Sequence, residues 1–141
     1  MSNSRNSVNE ARFSLMIQGD QLPVDDIERG LGLKATRLIR KGEVLNRLPL
    51  IEATEDEWLY VVPLTAHHGT DTELNTLLAL LMEKHDVMMQ LKSAYQVSLR
   101  LYVQSDYAQM AYQLMPETLA KIVATGLPLD VSSLSWGEVK L

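Results

Sequence analysis

A chain of 141 residues and 15.9 kDa is long enough to bury a core without metal or disulfide support, and 46% hydrophobic with 22% charged residues is the balance of a soluble globular domain. It contains no cysteine, which excludes a disulfide scaffold, a zinc–thiolate site and a cysteine nucleophile and suits a reducing compartment. The formal net charge of −5 is unevenly divided: residues 1–47 carry eight basic against six acidic side chains, and the remainder five against 12. Neutralising a phosphate backbone takes a broad positive face, so nucleic acid is not an expected partner; a single anionic ligand or a basic protein is.

The first dozen residues, MSNSRNSVNEAR, have no apolar h-region, so no secretory signal is expected. No apolar run approaches the roughly 20 residues of a membrane span. The expectation is a cytoplasmic protein, monomer or small homo-oligomer, with a flexible tail at 1–11, one domain at 12–135 and a C-terminal tail at 136–141.

In Arg12 to Gln18, Phe13, Leu15 and Ile17 alternate with Ser14, Met16 and Gln18, the period of a strand with one strongly apolar face. Gly19-Asp20 turns the chain. Pro23 and the acidic Asp25, Asp26 and Glu28 suit a helix start; Ile27 and Leu31 share its buried face, and Gly30 and Gly32 stop it. Thr36 to Leu45 is a basic edge strand with a turn or bulge at Lys41-Gly42, and 48–57 is a connection. Trp58 to Leu64, apolar on both sides, predicts a central strand.

Thr70 to Glu73 matches a capping box. The helix it opens, about Asp71 to Ser93, has the stripe Leu74, Leu77, Leu78, Leu81, His85, Met88 and Lys92, with a bend near His85-Asp86. Tyr95 to Gln104 alternates cleanly and predicts a half-buried strand in a hairpin with Ala108 to Leu114. Pro116 opens a last helix with Leu119, Ile122 and Val123 inward; Gly126 caps it, and Leu129 and Val131 form a short strand.

The order β-α-β-β-α-β-β-α-β predicts an α+β domain: a mainly antiparallel sheet of about six strands, with three helices on one face. IQGDQLPVDDIERGLGLKAT and LMPETLAKIVATGLPLDV share a proline-opened helix ending in Gly-Leu and a following strand. Either a duplicated ferredoxin-like arrangement or convergent capping chemistry accounts for that echo.

The order Phe13-Ser14-Leu15-x-Ile17-x-Gly19-Asp20, Ile27-x-x-x-Leu31-Gly32-Leu33, Thr36 leading to Lys41-Gly42-Glu43, Trp58 and Gly126-x-x-Leu129-Asp130-Val131 resembles a bacterial domain-of-unknown-function family, the one numbered forty-two seventy-nine. The resemblance runs from Phe13 to Val131 and implies an α+β domain; it brings no activity, cofactor or catalytic residue. Two positions depart from the pattern. Ala35 stands where the LGL-x-P-T corner has proline, which implies a less rigid corner, and the aromatic expected after Asp130-Val131 is replaced by the later Trp136.

Adjacent His67 and His68 point apart in a loop, and His85 falls on a helix's apolar face as a core-edge residue, so no metal site is expected. Asp25-Asp26 is explained by the helix dipole, and Glu55 to Glu57 by a solvated loop. No phosphate loop, nucleophile elbow or dinucleotide fingerprint occurs, so neither catalytic residues nor a cofactor are expected. Tyr102, Tyr107 and Tyr112 surround the expected hairpin, with Tyr102 on its wet face beside Arg100.

The run Lys34, Arg37, Arg40, Lys41 and Arg47 has two readings. Arg37 and Lys41 on one face would clamp an anion; alternatively, the positive charges protect an edge strand from edge-to-edge pairing. Three functions follow. The foremost is a non-enzymatic, immunity-like or antitoxin-like interaction module whose acidic surface meets a basic partner. The alternative is an anionic-ligand binding or sensor domain using residues 34–47 with Arg37, Arg40, Lys41, Arg100 and Tyr102; an enzyme is third.

Overall fold

Phe13, Leu15 and Ile17 have no solvent exposure, and their strand, β1 (Glu10–Gly19), is the axis of the fold. The computed structural model describes residues 10–45, 51–64, 71–105 and 112–135. After β1 come α1 (Val24–Leu31), β2 (Arg37–Ile39), β3 (Val44–Leu45), β4 (Ile51–Glu52), β5 (Asp56–Leu64), α2 (Thr72–Glu83), α3 (His85–Ala94), β6 (Gln96–Ser105), α4 (Pro116–Thr125) and β7 (Leu129–Ser135).

The architecture is α+β. β1 lies antiparallel between β5 and β6, β2 pairs antiparallel with β5 at one margin, and β7 runs parallel to β6 at the other, giving the order β2-β5-β1-β6-β7. β3 and β4 form a separate two-stranded sheet. In β2-β5-β1-β6, α1 connects two strands separated by β5, and α2–α3 connects two separated by β1. Those two split βαβ units make a ferredoxin-like arrangement, to which α4 and β7 add a fifth strand.

The two echoing segments share local structure. Each helix has proline at its start, and Gly32 and Gly126 both cap with φ of 71°. Their strands are placed differently, since β6 and β7 are neighbours whereas β5 separates β1 from β2.

One apolar cluster joins the odd-numbered residues of β1 and β6, the even-numbered apolar residues of β5 and the buried faces of the four helices, among them Ile27, Leu78, Met88 and Ile122. All four helices therefore cover the same face of the sheet. The other face carries a small second core in which Leu45 of the two-stranded sheet and Ala53 just after it pack on Ile39 and Leu59. Among the described residues no helix is long and apolar enough to cross a membrane.

Several local expectations change. The long helix breaks at Lys84 into α2 and α3, and the buried stripe continues through Met88 and Leu91, leaving His85 and Lys92 exposed. Lys92 instead donates to the Gly126 carbonyl at 2.7 Å, at the end of α4. Asp71 occupies the cap position of α2 and makes no side-chain cap bond, and Thr70 of the expected capping box lies outside the described residues. α4 buries Thr118 and Ile122 and leaves Leu119 and Val123 exposed, because it lies beside α2 and Thr118 donates to Asn75 there.

β6 is flanked by β1 and β7, and Tyr112 to Leu114 form no strand, so the expected hairpin does not form there; its other residues, 108–111, lie outside those described, as do His67, His68 and Tyr107. Gly30 belongs to α1, where an added Cβ would come within 3.1 Å of Val87 of α3; Gly32 alone is the cap.

Candidate functional site

The strand register sets out the helix-free face row by row. Arg12 pairs across with Tyr102, Ser14 with Arg100 and Met16 with Ser98 on β6; on β5 the same residues pair with Pro63, Val61 and Leu59. β2 adds Arg37 opposite Leu59, and β7 adds Ser132 opposite Tyr102. Residues paired across strands share a face, so all of these project from one side. The sheet floor and the two-stranded sheet, through Leu45, enclose a concavity of about 660 Å³ lined by Arg12, Ser14, Arg37, Ile39, Leu45, Glu57, Leu59, Val61, Arg100, Tyr102 and Ser132.

Three sequence-expected residues, Arg37, Arg100 and Tyr102, meet in this concavity. The Arg12 guanidinium lies 4.6 Å from the Tyr102 ring centroid, a cation–π contact, and its Nε is 2.8 Å from Glu10. The Tyr102 hydroxyl donates to Gln104 at 2.7 Å. Arg37 and Arg100 form no ion pair among the described residues. Among the described residues the lining thus holds three guanidiniums and one carboxylate, a positive patch on an acidic protein.

Arg40 and Lys41 lie elsewhere. β2 ends at Ile39, and the chain turns at Lys41-Gly42, where Gly42 adopts a φ of 91°. Buried Asp56 holds that turn: it accepts from the Lys41 amide at 2.8 Å, the Leu22 amide at 3.0 Å and the Arg40 guanidinium at 2.8 Å. The Lys41 amide above all, with the Leu22 amide and Arg40, holds the Asp56 carboxyl below its ordinary pKa against the opposing effect of burial. Arg40 also donates to the Leu22 carbonyl at 3.3 Å, so its guanidinium is engaged in structure. The Lys41 ammonium is exposed, 4.0 Å from an equally exposed Asp20. The structure thus places Arg40 and Lys41 at the turn and Arg37 in the concavity.

Glu28 and Ala35 form another structural knot. The Glu28 carboxylate accepts from the Ala35 amide at 2.7 Å and from the Trp58 indole at 3.3 Å, tying α1 to the corner before β2 and to β5. A proline at 35 would have no N–H to give.

Arg12, Ser14 and Ser132 complete the concavity and were not among the sequence candidates. The alternation of β1 does place Arg12 and Ser14 opposite its apolar face. What the alternation lacks is the identity of the neighbouring strand, which brings Tyr102 and Arg100 beside them. A smaller concavity of about 220 Å³ lies between β5 and α2, lined by Leu33, Tyr60, Pro63, Leu77, Leu80 and their neighbours. Among the described residues no group of three His, Asp or Glu side chains could hold a metal ion. What the larger concavity offers chemically is forked N–H donors and hydroxyls above an apolar floor, a combination that suits carboxylate or phosphate recognition.

Fold and site together define an α+β domain with a helix-covered face and an open, arginine-lined one. The chain belongs to the family described as Domain of unknown function (DUF4279), which matches residues 9–136. No curated protein and no solved structure shows significant similarity to it.

Proposed function

We propose that this domain is a non-catalytic binding module that takes an anionic ligand on the open face of its sheet. The observation that carries this reading is the convergence of Arg12, Arg37 and Arg100 on one concavity, with Arg37 and Arg100 unpaired among the described residues. An anion bound there gains charge-assisted hydrogen bonds from the guanidiniums that line it. A volume of about 660 Å³ falls in the ordinary range for small-molecule sites, about 300–1,000 Å³. A cytoplasmic location, which the cysteine-free composition suits, belongs to the same proposal.

The test is the melting temperature of wild type and Arg100→Gln in sulfate and in chloride at matched ionic strength. Sulfate is expected to raise the melting temperature of wild type and not of the variant; equal responses count against the reading. The second reading, an immunity-like or antitoxin-like module with a basic protein partner, draws on the acidic balance beyond residue 47 and on the exposed Asp25 and Asp26 of α1. It predicts a complex with a neighbouring gene product that weakens with salt, and failure to recover one by co-expression sets it aside.

A further inference from the structure

We infer that the ligand of the open face is an elongated organic dianion, with an acidic group at each end of an apolar stem, in preference to a compact anion. This inference rests on the anion-binding reading of the concavity and specifies its occupant.

The two unpaired arginines stand far apart on the sheet. Arg37 lies on β2 in the row of Leu59, Met16 and Ser98; Arg100 lies on β6 one row further along, opposite Ser14. With β5 and β1 between them, strand spacing and rise place their Cα atoms about 16 Å apart. Both line the same concavity, Arg37 at its β2 margin and Arg100 toward the β6–β7 side.

The ground between them is apolar on β5, with Ser14 of β1 beside Arg100. Leu59 and Val61 on β5 are half-buried in the floor, and Ile39 and Leu45 wall the Arg37 end. A small anion bound at one arginine would leave the other unpaired above this floor and the apolar surface wet. A stem crossing β5 over Leu59 and Val61 and β1 beside Ser14 removes that apolar surface from water while both guanidiniums find a carboxylate or phosphate. At the Arg100 end, Arg12 is already drawn to Glu10 and the Tyr102 ring, so it shapes the wall and adds background positive charge.

The acidic groups nearby fit the same layout. Glu57, the single carboxylate of the lining, sits opposite Ile39, one row beyond Arg37 and away from the Arg100 end. Asp130 lies opposite Arg100 on β7 and forms no ion pair with it. Neither carboxylate occupies the span between the two arginines.

The experiment is isothermal titration, at constant ionic strength, of straight-chain dicarboxylates from succinate to sebacate, of monocarboxylates of matching length and of inorganic phosphate. Wild type, Arg37→Gln and Arg100→Gln are compared. In wild type a long dicarboxylate is expected to bind about tenfold more tightly than its monocarboxylate partner, the worth of one additional charge-assisted contact. Arg37→Gln is expected to erase that advantage while changing monocarboxylate affinity by no more than about twofold. Arg100→Gln is expected to weaken both. If phosphate, monocarboxylates and dicarboxylates bind equally well, the elongated dianion is overturned and the anion site stands. If none binds, the anion site itself falls, and this inference with it.

Discussion

The Arg40 guanidinium meets the Asp56 carboxylate at 2.8 Å, with the Asp56 side chain only 6% exposed and that of Arg40 50% exposed. Two backbone amides from distant loops complete the carboxylate's shell, so Asp56 joins the turn after β1, the turn after β2 and the start of β5. Asp56→Asn keeps the shape and removes the charge that three donors face. It is expected to lower stability by about 2–4 kcal/mol in urea unfolding.

Acid exposes the same linkage. Because the folded pKa of Asp56 lies below 3.8, the unfolded chain binds a proton more readily than the folded one. The stabilisation is therefore complete above the unfolded value and is lost as pH falls through the folded one. Between about pH 6 and about pH 3, the urea midpoint of wild type should fall more steeply than that of Asp56→Asn. Parallel slopes would assign the acid sensitivity to other groups.

Leu99 is fully buried on β6, opposite Leu15 on one side and Leu129 on the other. An aspartate there has no partner and no water, a cost of several kcal/mol, which is a large share of a small domain's stability. Leu99→Asp should abolish cooperative melting as followed by circular dichroism. Near-native melting of that variant would mean that β6 does not face the helices.

Strands β1 and β6 were legible in the sequence because each puts an apolar residue at every second position, and the ends of α1 and α4 because only glycine adopts the left-handed cap cheaply. Pairing was less legible. The hairpin expectation placed residues 108–114 beside β6, where the structure has β1 and a parallel β7. Nothing local distinguishes these partners, since the choice depends on where α2–α3 returns the chain. The inward face of α4 was misread for a related reason: Leu119 and Val123 are more apolar than Thr118, but Thr118 finds Asn75 of α2. The concavity follows from the pairing, as Arg37 and Arg100 share a face only through β5 and β1.

Ala35→Pro, which restores the residue the family resemblance leads one to expect, tests the Glu28 knot. Proline restricts the unfolded chain, a gain of about 0.4–1 kcal/mol where the native backbone accepts it. Here it also removes the N–H that Glu28 accepts at 2.7 Å, leaving a half-buried carboxylate with the longer Trp58 bond. The loss should exceed the gain, with a net destabilisation of about 1 kcal/mol or more. A stabilised variant would mean that the corner, and not the hydrogen bond, decides the fit.

The final prediction separates three cations that lie within five residues of one another in sequence and have different roles in the structure. Arg40 supports buried Asp56, although half of its side chain faces water and solvent screens the pair. Arg40→Gln should therefore cost about 1–2 kcal/mol, with little recovery of the loss in high salt. Among the described residues the Lys41 side chain has only a distant, exposed acid for company, so Lys41→Gln should change stability by about 0.5 kcal/mol or less. Arg37→Gln should match Lys41→Gln in chloride, since Arg37 has no ion pair among the described residues to lose. In a long dicarboxylate salt the two should part: Lys41→Gln keeps the anion response of wild type, and Arg37→Gln loses part of it while Arg100 remains. Urea midpoints of the three variants in both salts, at matched ionic strength, read out all of these effects. An Arg40→Gln variant as stable as wild type would remove Arg40 from the Asp56 turn, and a dicarboxylate response unchanged in Arg37→Gln would remove Arg37 from the anion site.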